Sequence, residues 1–529
     1  MACNLNLTIM KKLYITIFTA ALMLTGSGCK KYLDVNTNPN APQSVTANLY
    51  LSPMLHWMAT APQYDARFIN RYTQNMTLTT VNSTWDMMGY DPASDNGAEL
   101  FRDVYWSFGQ NLVDMMTKAE AEERWDLLGV GYILKAWGWQ ALTDVHGEII
   151  IKEAIDPTKN VFNYDSQEYA YQEVQRLLQL AISNLERTDG AVDPAFLGKT
   201  DIIYKGDRSK WLKFAYGLLA MNLNHFSNKA SYNPDEVIAA VDKSFGSNND
   251  DALLGYTGVS NDDRNFLGPT RGNFNAYRQT IFVVSLMNGT EYPGVQDPRM
   301  SRMLSPSPDG TYRGLEPTFG NGALGAQQVP NNIYGYTGTI PVGTPSRYIF
   351  DDKSKVPVMT YSQLQFIKAE AALKKGDRAT ALTAYTNGIS SHIDFVNARN
   401  LDANQTPTQI SATEKTAFLT NPLIVPTAEN LTLSHIMEQK YIAQWGWGAL
   451  EQWMDLRRYH YTDADPITGA QVFGGFVPPV NLYADNAGKL VYRIRPRYNS
   501  EYVWNRESLD AIGGLAPDYH TKEMWITQP

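Results

Sequence analysis

The sequence predicts a mainly α-helical protein, on three observations. Apolar residues recur at the i, i+3, i+4, i+7 spacing of a core-facing helical stripe in several separate stretches. The segment 361–395 reads as a complete helical hairpin. Residues 250–355, by contrast, give up the apolar period to Gly, Pro, Asn and aromatic residues, the composition of a long functional loop region.

Along the chain, the first element is an export signal. Met10-Lys11-Lys12 gives a basic start, Leu13 to Leu24 is an apolar run of 12 residues, and Thr25-Gly26-Ser27-Gly28 supplies small residues ahead of Cys29. A stable membrane span needs about 20 apolar residues, so the run is expected to be cleaved. Residues 1–28 therefore read as a signal peptide of lipoprotein type, with Cys29 the lipid anchor. Met1 to Ile9, with Cys3, precede the Met10 start and add nothing to the signal. Gly26 stands where a lipoprotein box prefers a branched apolar residue, so plain secretion with cleavage nearby is the alternative. Residues 29–48 form a tether, since Tyr32 to Asn48 is rich in Asn and Pro without an apolar period, and 49–529 is expected to be a single domain.

Within that domain, Tyr72 to Asp95 is a first irregular stretch. Val130, Ile133, Leu134, Trp137 and Ala141 then make a helical stripe, as do Val174, Leu177, Leu178, Ala181, Ile182 and Leu185, and Trp211, Ala215, Leu218 and Asn222. The expected hairpins are Leu127 to Leu142 with Tyr169 to Leu185, and Trp211 to Phe226 with Pro234 to Phe245. The loop-rich insertion at about 250–355 follows, with too many aromatic residues for disorder. In 361–395, Leu364, Ile367 and Ala371 line one helix and Leu382, Tyr385, Ile389 and Ile393 the next. Between them Lys374-Lys375-Gly376-Asp377 gives a basic last turn, a glycine stop and a new N-cap. Small residues such as Ala369, Ala372 and Ala384 let the two helices approach, the logic of a tetratricopeptide hairpin of about 34 residues. A last stripe, Ile442, Trp445, Ala449, Trp453 and Leu456, precedes Arg457-Arg458.

Composition narrows the function. A net charge of -9 and a pI near 5.4, with no run of Lys or Arg, argue against a nucleic-acid partner. With Cys29 acylated and Cys3 removed, no thiol remains for a disulfide or a cysteine zinc site. The 31 Tyr and 12 Trp suit half-exposed binding surfaces, because each ring has an apolar face and a polar edge. Catalytic signatures fail in turn: HExxH and GxSxG are absent. Gly320 to Gly325 matches GxGxxG, but Pro317 and Pro330 deny it the strand and helix of a dinucleotide site. Asp91 to Gly97 lacks the alternating acids of a calcium loop. A carboxylate pair for glycoside hydrolysis stays open, since such groups need only meet in space.

Leu33 to Asn40, Leu142 to Glu148, Phe366 to Ala371 with Tyr385 to Ile389, Trp453 to Arg458 and Pro496 to Glu501 together resemble, in their order along the chain, the SusD/RagB family of outer-membrane nutrient-binding lipoproteins. Leu33 to Asn40 is similar to the family's opening, and Leu142 to Glu148 to its helix-ending segment, with His146 where Tyr or Phe is usual. Phe366 to Ala371 leading to Tyr385 to Ile389, and Trp453 to Arg458, are typical stretches. Pro496 to Glu501 with Asn505 looks like the tyrosine-proline box, without the proline after the tyrosine. The resemblance implies tetratricopeptide-like helical hairpins forming a superhelical half, with an irregular loop-rich half carrying the ligand site. It also implies no catalytic step and a structural role for Glu370, Asp455, Arg457, Arg458 and Glu501; no cofactor and no metal are expected. The expected partner is a SusC-like TonB-dependent transporter, and the expected ligand a glycan or a peptide captured at the outer membrane. Candidate ligand-binding residues come from the irregular stretches: Asn82, Trp85, Asp86 and Tyr90 from the first, and Tyr277, Arg278, Tyr334 and Tyr336 from the second. A surface glycoside hydrolase and a purely protein-binding scaffold are the competing readings.

Overall fold

The computed structural model describes residues 10–12, 14, 45–91, 93–338, 340–341, 343–402 and 407–529. The chain divides into two units, 1–46 and 47–529. In the first, Met10 to Lys12 and Tyr14 are helical, while most of the export signal, Cys29 and the tether up to residue 44 lie outside the described residues. Among the described residues no helix is long and apolar enough to cross a membrane.

The second unit is built on long helices: α1 (Leu51–Tyr72), α2 (Gly109–Ala121), α3 (Trp125–His146), α4 (Gln167–Glu186), α5 (Arg208–His225), α6 (Pro234–Lys243), α7 (Tyr361–Lys375), α8 (Arg378–Arg399), α9 (Leu433–Gln444) and α10 (Ala449–Arg458). From α2 to α8 each helix packs on the next in chain order, giving the tetratricopeptide-like stack of hairpins. The 361–395 reading is realised residue by residue. Gly376 takes φ +89°, the left-handed conformation that stops α7, and the Asp377 carboxylate accepts the Thr380 N–H to start α8. At Gly388 an added Cβ would sit 2.8 Å from the Phe366 ring, so the two helices pack at a distance that glycine alone permits.

One stripe departs from the sequence reading. Ile442 to Leu456 does not lie on one helix, because Trp445-Gly446-Trp447-Gly448 breaks it into α9 and α10, with Gly446 at φ +86°. The break turns Trp445 and Trp453 inward from two directions, and both are fully buried.

Where the helices converge, they enclose charge. Arg458 donates to both oxygens of Glu370 at 2.7 and 3.0 Å and to Asp455 at 2.6 Å. Lys440 donates to Glu451 at 2.9 Å and Asp455 at 3.0 Å, and His225 reaches Glu451 at 2.9 Å. The network joins α5, α7, α9 and α10 through groups that would be costly if left alone. Burial alone would lower the pKa of His225, but Glu451 and Asp144 outweigh it and raise it to about 9. Arg457 lies 3.8 Å over the Trp453 ring and donates to the Tyr492 carbonyl, which ties the C-terminal segment to α10.

The loop-rich region is stitched to this body by two small antiparallel sheets. β1 (Met76–Leu78) pairs with β3 (Tyr277–Gln279), and β2 (Ala252–Leu254) with β4 (Val356–Met359). Elsewhere side chains satisfy the irregular backbone: Asn265 donates to the Ile349 and Asp351 carbonyls, and Gln279 donates to those of Ser305 and Arg313. Tyr277 and Arg278 lie in β3, and a short helix, Ile281–Met287, follows. The glycines of 320–325 lie in turns without a strand before or a helix after.

Candidate functional site

A groove of about 920 Å3 opens where three irregular segments meet. The first follows the short helix Glu99–Arg102 and is a π-helical turn, Asp103–Phe108, ending at α2. Such wide turns re-aim side chains and recur at functional sites. Here Phe101, Val104 and Phe108 go inward, and Trp106 is left 71% exposed on the groove wall. The Arg102 guanidinium lies 5.3 Å from its ring centroid.

The second wall is the loop after α3, with Ile150, Ile155 and Phe162 facing the groove. The Tyr105 hydroxyl pins it, donating to the Ile150 carbonyl at 2.8 Å and accepting the Ile150 N–H at 2.9 Å. Burial and then Glu501 hold this phenol well above its ordinary pKa, so it stays protonated.

The third wall is a second π-helical turn, Tyr498–Tyr502, preceded by Arg497. Glu501 Oε2 accepts the Tyr164 hydroxyl at 2.5 Å and the Asn505 amide at 2.8 Å. Arg497 pairs with Asp95 at 3.1 Å, and Asn499 donates its N–H and side-chain amide to the same carboxylate. The Ser500 hydroxyl is buried without a protein partner. Trp504, 77% exposed, follows one turn later, its backbone N–H bonded to the Ser500 carbonyl. Of the twelve tryptophans, 106 and 504 are the two left mostly in water. The groove thus offers flat apolar surface beside a few fixed polar groups, the arrangement of a small-ligand site. Among the described residues no group of three or more His, Cys, Asp or Glu is placed to hold a metal.

The eight residues expected to form the platform do not line this groove. Trp85, expected at the ligand, is 2% exposed and packed among Phe68, Tyr72 and Tyr90 at 4.7–5.1 Å, with its N–H on Asp91. Asp86 is buried in a 2.7 Å ion pair with Arg71 and accepts the Leu78 N–H. Tyr277 donates to the Arg67 carbonyl, Tyr334 to that of Gly268, and Arg278 to those of Asn275, Tyr277 and Thr337. Tyr90 is buried too, its hydroxyl on the Asn96 carbonyl. None of these six is on the groove wall; Tyr90 borders a separate cavity. An irregular backbone cannot supply its own core, so its rings and charges fold beneath it to do so. Asn82 is exposed, linked to Asn481, and Tyr336 is half-buried.

The sequence reading missed Trp106, Phe162 and Arg497 on the groove wall. A signal existed for one: on the helical period set by Phe101, Val104 and Phe108, Trp106 falls outside the apolar stripe.

The family model for SusD-like proteins, described as starch-binding and associating with the outer membrane, matches residues 39–481. A SusD/RagB family protein from Bacteroides thetaiotaomicron has a similar structure, 19% identical, with a TM-score of 0.65 over 92% of this chain and 99% of its own. A chitin-binding SusD homolog from Flavobacterium johnsoniae is 19% identical, with a TM-score of 0.63 over 91% of this chain and 98% of its own. A SusD homolog from Bacteroides fragilis is 17% identical, with a TM-score of 0.67 over 92% of this chain and all of its own. At these identities the likeness is one of fold. Comparison with curated proteins finds no match.

Proposed function

The chain belongs to the SusD-like family, binding proteins rather than enzymes that associate with the outer membrane, and from that premise we propose that it captures oligosaccharides at the cell surface and delivers them to a SusC-like TonB-dependent transporter. Cys29 is the lipid anchor in this reading, and residues 29–48 are the tether that lets the folded body reach the transporter. The observation that supports it most is the groove with Trp106 on its wall. Pyranose rings present flat C–H faces to an indole and hydroxyls to groups such as Glu501, Arg497 and Asn111, which share the groove. Exposing such a ring to water has no folding advantage, so a ligand surface accounts for it better than packing does.

Isothermal titration with maltooligosaccharides and chitooligosaccharides tests the proposal. Saturable binding of one series, weakened by Trp106→Ala, is the expected result. Silence toward both series with binding of oligopeptides moves the ligand to the peptide class, and silence toward all three refutes capture at this groove. Palmitate labelling lost in Cys29→Ala tests the anchor, and co-purification with the transporter from detergent-solubilised outer membranes tests the partner.

A further inference from the structure

A second, smaller cavity of about 210 Å3 lies on the other side of the turn that walls the groove. Arg497, Ser500 and Glu501 face the groove, while Arg495, Tyr498 and Tyr502 line this cavity with Tyr90, Asp485 and His520. Its volume is that of roughly seven waters at ~30 Å3 each, room for one pyranose ring.

His520 gives the cavity its character. The residue is 1% exposed, and its Nε2 meets the Asn486 Oδ1 at 2.6 Å. The Asn486 amide nitrogen is committed to the Met88 and Lys489 carbonyls, so its oxygen faces the ring and Nε2 carries the proton. Nδ1 is then a lone-pair acceptor, and it is buried without a protein partner. Burial, and then Arg495, lower the pKa to about 4, which keeps the ring neutral.

The remaining groups restrict the ligand further. The Arg495 guanidinium donates to the Tyr502 hydroxyl and to the Gly514, Ala516 and Pro517 carbonyls, so it is engaged by the protein rather than held out to an anion. Asp485 is exposed and makes no ion pair or hydrogen bond among the described residues, and the Tyr498 hydroxyl has no protein partner there. Tyr498 and Tyr502 stack at 5.5 Å with 17° between their planes, forming a flat aromatic wall. Two open acceptors, one open hydroxyl and an aromatic face call for a ligand with several O–H donors, an apolar face and no negative charge.

We propose that this cavity is a second binding site, for a single neutral pyranose, with hydroxyls donated to His520 Nδ1 and Asp485 and the ring laid against the Tyr498–Tyr502 pair. The class of ligand rests on the glycan reading above; the site itself does not depend on the groove. Its position behind the shared turn suits a free monosaccharide or the end unit of a chain.

Ligand-observed NMR and titration with D-glucose, D-galactose and N-acetyl-D-glucosamine test it, with ethanolamine as the cationic arm. One of the sugars is expected to saturate. Asp485→Ala, an exposed change, weakens it by about tenfold or more, the loss of a hydrogen bond to a charged group. Tyr498→Ala weakens it further, and Trp106→Ala leaves it unchanged. The inference is overturned if no monosaccharide saturates, if ethanolamine binds in their place, or if Trp106→Ala abolishes binding that Tyr498→Ala leaves intact. Oligosaccharide binding that persists alongside any of these outcomes leaves the groove standing and removes only the second site.

Discussion

Trp106 is the residue on which the groove can be tested most directly. A tryptophan side chain offers roughly 200 Å2. At 71% exposure about 140 Å2 of it is in water, and with Arg102 lying over the ring a sugar can cover about half of that. Burying roughly 70 Å2 at about 25 cal/mol per Å2 gives about 1.8 kcal/mol, or close to 20-fold in affinity. Trp106→Ala is therefore expected to raise the Kd for the best oligosaccharide by about 10- to 20-fold, and Trp106→Phe by less. Isothermal titration reads this, with the melting temperature as the control, because an exposed ring contributes little to the fold. A change below about threefold in Trp106→Ala, with the melting temperature held, would refute the stacking argument and with it the groove as the main contact.

Trp85→Ala should show the opposite profile, a loss of stability on the order of 3–5 kcal/mol from the cavity left among Phe68, Tyr72 and Tyr90, measured by denaturant unfolding. For His225 the folded pKa of about 9 lies above its ordinary 6.5, so the stabilisation is complete below pH 6.5 and is lost as pH rises through 9. The shift corresponds to something on the order of 3 kcal/mol, and the lowered pKa of Glu451 is the same attraction seen from its partner, not a second contribution. His225→Gln should flatten the pH dependence of the melting temperature between 6.5 and 9, and an unchanged slope would count against the network. Glu438 is raised from 4.5 to about 8, by burial first and then by Glu291. Its stabilisation is likewise full below pH 4.5 and lost toward pH 8, so Glu438→Gln should gain most over wild type near pH 8; equal gains at pH 5 and 8 would contradict this.

The helical half was legible because it is written in period and punctuation. The α7–α8 hairpin shows why: Lys374-Lys375-Gly376-Asp377 specifies the stop and the cap locally, whatever lies around it. The α9–α10 break was less legible, since Trp445 and Trp453 keep a helical spacing across a glycine that interrupts the helix. The site was legible in kind but not in place. Trp85 and Trp106 both sit in aromatic, Asp-containing stretches; what separates them is whether a distant element covers the ring. Trp85 lies under α1, packed on Phe68 and Tyr72, whereas the turn carrying Trp106 packs on α1, α2 and α3 through its other side chains and leaves this ring on the groove wall. That difference belongs to tertiary packing, which a single sequence records only through long-range pairs.

The pinning of the groove bears on how it binds. The backbone N–H of Phe162 donates to the Asn505 side chain, and the Asn505 amide donates back to the Phe162 carbonyl and to Glu501. With the Tyr105 to Ile150 pair, these bonds link the three walls one to the next, in segments that have no strand or long helix to hold them. Loops that must be ordered on binding subtract that ordering from the affinity, at about 0.5–1.5 kcal/mol for each immobilised side chain. Fixing them beforehand leaves more of the modest stacking contribution of one indole available as affinity. It also explains why Glu501, although it lines the groove, belongs with the structural carboxylates that the family motif suggested: its Oε2 accepts the Tyr164 and Asn505 bonds that order the walls.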